Sequence, residues 1–590
     1  MYYLSKVLYI LPAQRSSLIL LVLVFLLVSV LEVVGIGLMN PFINLSGNLD
    51  LIEQYAWLHL VYTLSGLSKK SHFVALIGVL IISILFLKSW VSWKAQAYVF
   101  QFSYEQQSQL ISKLMNAYLD VPYHFLLGKN SATIIHNIID ETKKFANGVL
   151  ITLLTTISNL VVTISLMILL CWTSIVAVLG MIAIALPLFF LFKCFQDKLI
   201  YWGQESSQSN ETIIRMVNHG LGSIKETKIL GCKTYFEDQI AVQADRYAQA
   251  QGGFYAFKLA PRVIIEAVLV MLLVGVISIL LIQNHDIQEL IPVLSVFAIA
   301  SIRLIPASSN FAGGISLLRN TTYTVDKLYH DLRSMETATR ESAYRTFTLA
   351  HYTVNGRVLT FDSQIVLEAL TYRYPHTAVA ALENVSLTIH KGQSIALIGK
   401  SGSGKTTLVN VLLGLLMPES GDIHVDNHSI YTNLKAWQNL VGYIPQSIFL
   451  TDDTIARNIA FGVPDAHIDR DRLIQAIAAA QLTGLIDDLP DGLQTQVGER
   501  GVRLSGGQQQ RIGIARALYH QKEILILDEA TAALDNETER LVTEAIKALS
   551  GVKTIFIVAH RLTTVAHCDH VYVMDHGRII KSGLYQEVVV

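Results

Sequence analysis

The chain has 590 residues, of which 52% are hydrophobic and 15% charged, with a net charge of −1 and a mean hydropathy of +0.44. A chain of this length is expected to form at least two domains, and a soluble protein would carry about 25% charged residues, so the apolar excess indicates membrane segments. The near-neutral charge gives no basis for nucleic-acid binding, and the spacing of Cys171, Cys194, Cys232 and Cys568 excludes the usual zinc and redox motifs.

Six apolar stretches are long enough for membrane-spanning helices, which need about 20 residues. They are residues 18–43, 73–91, two stretches within 148–192 that separate near 171–173, 263–282 and 291–315. Lysine and arginine concentrate between the second and third stretches and between the fourth and fifth. Both long loops and both termini are therefore expected in the cytoplasm.

The two long loops, residues 94–147 and 194–262, are rich in polar helix-forming residues and nearly free of proline. Each predicts two helices that extend roughly 45 Å into the cytoplasm and back, at a rise of 1.5 Å per residue. Coupling helices are expected at the apices near 122–130 and 212–222, where Pro, Gly and Asn interrupt the pattern. The external segment 49–64 fits either a short interfacial helix or an ordinary loop.

After about residue 330, charged residues return and strand-like runs alternate with helical ones, as in an α/β domain. The buried-strand run 393–398 leads into a glycine-rich loop and an apolar helix, which is the context of a phosphate-binding P-loop. Its backbone amides and helix N-terminus favour anions, Lys405 is expected to neutralise the β and γ phosphates of ATP, and Thr406 is expected to hold Mg²⁺. The nucleotide-binding residues predicted here are Gly399, Lys400, Ser401, Gly402, Ser403, Gly404, Lys405, Thr406 and Thr407.

Two adjacent carboxylates, Asp528 and Glu529, end another buried-strand run. Carboxylates at such a position are costly unless they face a charged ligand. Asp528 is therefore predicted to bind Mg²⁺, and Glu529 is predicted to polarise the water that attacks ATP.

A third motif, Leu504-Ser505-Gly506-Gly507-Gln508, lies between the other two and opens a helical run. With the motifs in this order, the chain resembles the ABC transporter superfamily. The resemblance implies that Ser505, Gly506, Gly507 and Gln508 complete the ATP site of a second chain. A dimer is therefore expected, either a homodimer, which the complete set of active-type residues favours, or a pair with a similar chain.

The resemblance also assigns roles to single residues. It implies that Tyr374 stacks on adenine and that Gln446 reaches Mg²⁺ and the attacking water. It places Asp535 in the loop between paired ATPase domains and His560 at the γ-phosphate. Glu499, just before the third motif, resembles the residue of ABC exporters that touches the partner's membrane stalk.

The expected fold is an α-helical membrane domain with six transmembrane helices and long cytoplasmic extensions (1–330), a linker (331–355) and an α/β P-loop ATPase domain (356–590). Ionisable groups inside a membrane are costly and often functional. Four such residues in or near the predicted spans are candidates for a substrate cavity: Glu32, Lys88, Glu266 and Arg303. The alternatives are that they pair with one another structurally or extend to the membrane interface.

The membrane half further resembles flippases of polyprenyl-diphosphate-linked oligosaccharides, in residues 31–43, 222–231, 260–262 and 303–310. This resemblance implies an amphipathic lipid-linked substrate whose diphosphate a cavity cation would hold. Alternatives are a multidrug or lipid exporter, a peptide exporter, an ATP-gated channel and a non-transport ATPase, the last of which the six spans disfavour. The expected location is the bacterial inner membrane, with the ATPase domain in the cytoplasm.

Overall fold

The first part of the chain is helical, and the second combines strands with helices. The computed structural model describes residues 2–11, 15–38, 42, 45–46, 49, 52, 56–67, 69–173, 175–282, 287–349, 360–375, 377–529, 536–559 and 561–588. Contacts divide it into two units, Met1–Val121 with Gly128–Thr337, and Pro122–Leu127 with Ala338–Val590.

Long helices overlap all six apolar stretches predicted from the sequence. The helices up to the ATPase part are α1 (Tyr2–Ile10), α2 (Arg15–Gly37), α3 (Ala56–Leu64), α4 (Lys70–Asp120), α5 (Tyr123–Leu127), α6 (Ser131–His136), α7 (Thr142–Lys144), α8 (Thr152–Thr173), α9 (Ile175–Gly222), α10 (Ile224–Ile229), α11 (Lys233–Ile282), α12 (Ile287–Asn320) and α13 (Thr322–Leu349). Two π-helical segments, Asn137–Glu141 and Phe145–Ile151, connect α6, α7 and α8. Helix α13 runs through most of the predicted linker.

Two helices in the described residues are long and apolar enough to cross a membrane, Lys70–Asp120 and Ser131–Ile168. Helix α4 leaves Phe86 and Ile82 exposed, at 74% and 68% of their surface. Exposed apolar surface of this kind is typical of membrane-facing helices.

Beyond the predicted spans, polar contacts hold the helical extensions together. Glu211 on α9 accepts hydrogen bonds from Lys327 Nζ at 2.7 Å and from Thr133 Oγ1 at 2.8 Å. Asp331 on α13 accepts one from Asn137 Nδ2 at 3.2 Å. These contacts tie α6 and the π segment after it to α9 and α13.

The second unit contains two sheets. Its strands are β1 (Gln364–Tyr372), β2 (Leu382–His390), β3 (Ser394–Ile398), β4 (Ser420–Val425), β5 (His428–Ser429), β6 (Val441–Ile444), β7 (Ile524–Asp528), β8 (Thr554–Val558), β9 (His570–Asp575) and β10 (Arg578–Gly583). In the described residues, one sheet has four strands in the order β2-β1-β4-β5, and the other has six in the order β10-β9-β3-β8-β7-β6. Strands β9, β3, β8, β7 and β6 are parallel, and β10 pairs antiparallel with β9.

Helices connect and cover these strands. They are α14 (Lys405–Leu412), α15 (Leu434–Leu440), α16 (Ile455–Ile459), α17 (Arg470–Ala479), α18 (Thr483–Asp487), α19 (Gly506–Tyr519), α20 (Asn536–Leu549), α21 (Leu562–Val565) and α22 (Tyr585–Val588), with 3-10 turns at Ile430–Thr432, Asp465–His467, Gly492–Gln494 and Glu499–Gly501. Strands β7 and β8 are buried along their whole length, as expected for parallel strands covered on both faces. The carboxyl ends of β3, β7 and β6 meet at one sheet edge, which is where ligands bind in such folds.

Candidate functional site

The P-loop turns tightly between β3 and α14. Gly404, which caps α14, has a φ of 104°, and a Cβ at this position would lie 2.7 Å from the carbonyl oxygen of Ala381. Glycine is therefore the residue that fits here without movement of the backbone. The hydroxyl of Ser403 is buried and has no hydrogen-bond partner among the described residues. A buried hydroxyl without a protein partner is expected where a bound ligand supplies the hydrogen bond.

Lys405 lies at the start of α14 with only 5% of its surface exposed. Its Nζ donates to the carbonyl oxygens of Gly399 and Lys400, each at 2.9 Å. Burial lowers the pKa of Lys405, and the carboxylates of Glu529 and Asp528 oppose this shift. The ammonium is thus held at the loop, where it can neutralise an anion.

A cavity of about 390 Å³ opens beside the loop. The Tyr374 hydroxyl, at its edge, shares a hydrogen bond of 3.1 Å with Thr407 Oγ1. An aromatic ring, a cation and a phosphate-binding loop around one cavity suit a nucleotide. Its lining consists of Tyr374, Val379, Ala380, Ala381, Ser401, Gly402, Gly404, Lys405, Thr406, Thr407, Glu529, His576 and Gly577.

The paired carboxylates at the end of β7 have different surroundings. Asp528 is 6% exposed; burial and the neighbouring Glu529 raise the pKa of its carboxyl, and the Tyr443 hydroxyl lies 3.5 Å from its Oδ2. Glu529 has a φ of 50°, donates its N–H to Val558 O at 2.9 Å and accepts a 2.8 Å hydrogen bond from Gln446 Nε2. The surrounding contacts hold this unusual backbone conformation.

The oxygen donors at this edge fit Mg²⁺. Thr406 carries an exposed hydroxyl on α14, Asp528 supplies a carboxylate and Gln446 supplies an amide oxygen. Hard oxygen donors of these types are the ligands that Mg²⁺ prefers.

The third motif lies at the beginning of α19. Ser505 Oγ accepts from the N–H of Gln508 at 3.3 Å, and the Ser505 N–H donates to Gln508 Oε1 at 2.8 Å, which forms a capping box. Ser505 and Gly506 are exposed, whereas Gly507 is buried. None of these four residues lines the described nucleotide cavity.

Comparison with known proteins identifies both halves of the chain. The family model for the ABC transporter transmembrane region matches residues 18–302, and the ABC transporter model matches residues 382–532. An ATP-dependent lipid A-core flippase of Cupriavidus pinatubonensis is 30% identical over 498 residues, which cover 82% of this chain and 80% of the relative. The chain belongs to the ABC transporter family.

Other relatives agree with this assignment. The flippase of the same name from Cupriavidus metallidurans is 30% identical over 501 residues, covering 82% of the transporter and 79% of the relative. The one from Ralstonia nicotianae is 44% identical over 224 residues, which are 38% of each chain. The transporter is an exporter-type half-transporter and an ATP-driven translocase, as the sequence motifs predict.

A solved structure shares the fold. It is described as a bacterial Atm1-family ABC exporter with ATP bound, and it has a TM-score of 0.71 at 21% identity, covering 97% of the transporter and 95% of that chain. The predicted fold class, a helical membrane domain joined to a P-loop ATPase domain, is confirmed.

Three other predicted ATPase residues have separate outcomes. Asp535 and His560 lie outside the described residues. Glu499 is exposed at the start of a 3-10 turn, where Arg500 has a φ of 54°. The roles of all three stay predictions.

The membrane unit contains a cavity of about 580 Å³ that is lined by both polar and apolar side chains. It lies between helices α2, α4, α8, α11 and α12, and its described lining includes two cations, Lys258 and Arg262. Its lining consists of Phe25, Gln96, Val99, Phe100, Thr152, Thr155, Ser158, Asn159, Tyr255, Lys258, Leu259, Arg262, Ser309, Asn310, Gly313, Gly314 and Leu317.

Two of the four predicted cavity charges have described side chains, and these two do not line the cavity. Lys88 is buried on α4 and Glu266 is exposed on α11, and neither lines the cavity. The side chains of Glu32 and Arg303 lie outside the described part of the structure. The substrate role of these four residues stays a prediction.

Sequence reasoning missed the cavity's own cations. Lys258 and Arg262 stand next to an apolar stretch, where they count as positive residues of a cytoplasmic loop, and Arg262 also falls in the flippase-like segment 260–262. The pattern that could have identified this pair of cations is their spacing of four residues, which places both side chains on one face of a helix.

It also missed His576 and Gly577, which line the nucleotide cavity. They form the turn between β9 and β10, where the Gly577 N–H donates to Ser403 O at 2.9 Å. The turn meets the P-loop because β9 pairs with β3, and no local pattern in the sequence indicates that pairing.

Proposed function

We propose that the transporter works as a homodimer in the bacterial inner membrane and uses ATP with Mg²⁺ to flip an amphipathic lipid. The headgroup of that lipid carries phosphate and sugars, as in a polyprenyl-diphosphate oligosaccharide. The observation that supports this substrate is the cavity in the membrane unit, whose lining combines two cations, neutral polar side chains and apolar surface.

The cavity cations are suited to a phosphate or diphosphate. Neither Lys258 nor Arg262 has a carboxylate partner among the described residues, and Lys258 Nζ lies 5.9 Å from the centroid of the Tyr255 ring. Unpaired cations next to apolar membrane segments are costly. Charge-assisted hydrogen bonds to a phosphate group would offset this cost.

The rest of the cavity matches the other parts of such a lipid. Gln96, Asn159 and Asn310 supply neutral donors and acceptors, which suit sugar hydroxyls. Tyr255 and Leu259 add apolar surface, with 58% and 63% of each side chain exposed. The relatives named lipid A-core flippases also agree with a lipid substrate.

At the ATP site, each residue has a proposed role. Mg²⁺, when bound, neutralises charge between the β and γ phosphates. Glu529 accepts a proton from the attacking water, and the Gln446 contact at 2.8 Å orients its carboxylate. The remaining roles are phosphate binding by Gly399, Lys400, Ser401, Gly402, Ser403, Gly404, Lys405, Thr406 and Thr407, adenine stacking by Tyr374, metal binding by Thr406, Asp528 and Gln446, γ-phosphate contact by His560, and completion of the partner's site by Ser505, Gly506, Gly507, Gln508 and Asp535.

Coupling is proposed at two short helices, α5 within the predicted apex 122–130 and α10 just after the predicted apex 212–222. Residues 122–127, which include α5, group with the ATPase unit. Helix α10 begins two residues after the predicted apex 212–222, and its last residue, Ile229, and the following Leu230 are apolar and exposed, at 84% and 76%. Exposed apolar surface of this kind marks an interaction site, and Glu499 is proposed to contact the partner's stalk.

The test is ATP-driven flipping in proteoliposomes of a fluorescent diphosphate-linked oligosaccharide lipid. Flipping should require hydrolysable ATP. The double variant Lys258→Ala with Arg262→Ala should lower the flipping rate at least about tenfold, because charge-assisted hydrogen bonds are lost. Arg246→Ala, which removes an exposed cation of α11 outside the cavity, should keep the normal rate.

Three results would contradict the proposal. One is ATP-driven movement of drugs or peptides without movement of the lipid-linked oligosaccharide. Another is ion conductance without ATP-coupled flipping. The third is equal flipping by the double variant and by Arg246→Ala.

A further inference from the structure

A glutamine of helix α19 contacts the loop that holds Gln446. Gln510 lies in the turn that follows Ser505, the N-cap of α19, and is 7% exposed. Its Nε2 donates to the backbone carbonyl oxygen of Gln446 at 2.8 Å. This bond joins two segments that lie 64 residues apart in the chain.

The contact continues to Glu529. The side chain of Gln446 donates through Nε2 to Glu529 Oε2, also at 2.8 Å. Two hydrogen bonds of ordinary length therefore connect helix α19 to the carboxylate at the end of β7. A change in the position of the helix moves the Gln446 backbone, and with it the amide that orients Glu529.

The amide of Gln510 is specific to this contact. Its Oε1 is buried and has no partner among the described residues. A buried polar atom without a partner is destabilising, so a methionine of similar length would avoid that cost. The contribution of the Gln510 amide at this position is therefore the hydrogen bond that it donates to the backbone carbonyl oxygen of Gln446.

The beginning of α19 is the part of the chain that would meet the partner's nucleotide. Ser505 and Gly506 are exposed there, and a helix N-terminus attracts anions. Gln510 follows Ser505 by about 7.5 Å along the helix axis, at 1.5 Å per residue. A short, continuous helix transmits a displacement over this distance without deforming.

We propose that Gln510 is a positioning residue that couples the two ATP sites, so that ATP held by one copy orients Glu529 of the other. This inference rests on the proposed homodimer. Within one copy, the N-terminus of α19 lies at the partner's ATP. Gln510 of the same helix contacts Gln446, and Gln446 contacts Glu529 of that copy.

The neighbouring Gln509 provides a matched control. Its Nε2 donates to Gly501 O at 2.9 Å and to Leu504 O at 3.4 Å. Both acceptors precede α19 in the same segment. Gln509 therefore anchors the start of the helix but has no hydrogen bond to the Gln446 loop.

The test uses dimers purified through two different tags, one on each copy. Glu529→Gln in one copy leaves a single hydrolysing site, which belongs to the other copy. Gln510→Met is then placed either in the copy with the intact Glu529 or in the copy with Glu529→Gln. Both dimers carry the same two substitutions, so their composition is matched.

The proposal expects about tenfold slower ATP hydrolysis when Gln510→Met is in the copy with the intact Glu529, because that copy loses the hydrogen bond to Gln446. Fluorescent ATP should bind equally in both arrangements. Gln509→Met loosens the start of α19, which meets the partner's ATP, so any slowing should be greater when it is in the copy with Glu529→Gln, the reverse of the order expected for Gln510→Met.

Equal rates for Gln510→Met in both placements would overturn the coupling while leaving the homodimer intact. Failure to recover any dimer with both tags would instead overturn the homodimer and, with it, the coupling.

Discussion

At the scale of single residues, Asp528 and Glu529 show how adjacent carboxylates acquire different roles. Asp528 is buried, and burial together with the neighbouring Glu529 raises the pKa of its carboxyl, so a nearby cation would favour its ionised form. Glu529 turns into a left-handed backbone conformation, with a φ of 50°. Its carboxylate meets the amide of Gln446 rather than the side chain of its neighbour. The first group is suited to a metal and the second to a water molecule.

Glu529→Gln should therefore retain ATP binding and lose hydrolysis, by about 10²- to 10⁴-fold, because a general base is removed without a change in shape. Phosphate release and fluorescent ATP binding by the purified transporter measure the two effects separately. Glu523→Gln, just before the other end of β7, should leave both quantities unchanged. Undiminished phosphate release by Glu529→Gln would exclude its role as the base.

The sequence predicts the residues of this site better than their contacts. The P-loop and the two carboxylates at the end of β7 can be predicted from the sequence, because the residues of each motif are consecutive in the chain. The Gln446–Glu529 bond joins residues 83 positions apart. It exists because β6 pairs with β7, and that strand order is not encoded in either motif. The Gln510 bond depends on helix packing and was equally inaccessible.

At the scale of helices, small residues decide how closely the long helices of the first unit pack. A Cβ on Gly203 of α9 would lie 1.8 Å from the carbonyl oxygen of Asn320, at the end of α12. A Cβ on Gly314 of α12 would lie 2.0 Å from Thr156 Oγ1. Close approach at small residues is a general means of helix association in membranes.

Gly203→Ala should destabilise the transporter by about 1–3 kcal/mol, because the obstructing atom belongs to the backbone and cannot rotate away. Gly252→Ala on α11 is the matched control, since a Cβ there meets nothing within 4 Å. This control should be neutral or stabilising by up to about 1 kcal/mol, because alanine favours the helix. Thermal unfolding in detergent compares the two. Equal unfolding temperatures would contradict the packing of α9 against Asn320.

Hydropathy predicts the helices of this unit but not their full extent. The break expected near 171–173 agrees with α8 ending at Thr173 and α9 beginning at Ile175. The π segments Asn137–Glu141 and Phe145–Ile151 were not predicted, because apolar periodicity does not distinguish one π turn within an α-helical run. The short helix α10 begins just after the predicted apex 212–222. Helix α9 ends at Gly222, which is also the last residue of that predicted apex.

At the scale of the whole transporter, one chain contains two sets of predicted ATP-binding residues that do not line the same described cavity. The nucleotide cavity holds the P-loop and Glu529, whereas Ser505 and Gly506 are exposed at the N-terminus of α19. A helix N-terminus with exposed amides is an anion site, and these residues do not line the chain's own described nucleotide cavity. Two copies arranged head to tail would bring each exposed motif to the other copy's P-loop.

This arrangement predicts complementation between inactive copies. Lys405→Ala removes the P-loop cation, and Ser505→Arg blocks the N-terminus of α19. A dimer with Lys405→Ala in one copy and Ser505→Arg in the other keeps one site in which both half-sites are intact, so it should hydrolyse ATP. A dimer with both substitutions in one copy and none in the other has no intact site, and its rate should fall by at least about 10²-fold, because preorganised charge stabilisation is lost at both sites.

Phosphate release by dimers purified through two tags measures the difference between these arrangements. Their composition is identical, so a loss of folding or of dimerisation lowers both rates together. A site built from a single chain predicts the opposite order, because the unsubstituted copy would then retain a complete site and the separated substitutions would leave none. Higher activity with both substitutions in one copy would therefore exclude shared ATP sites.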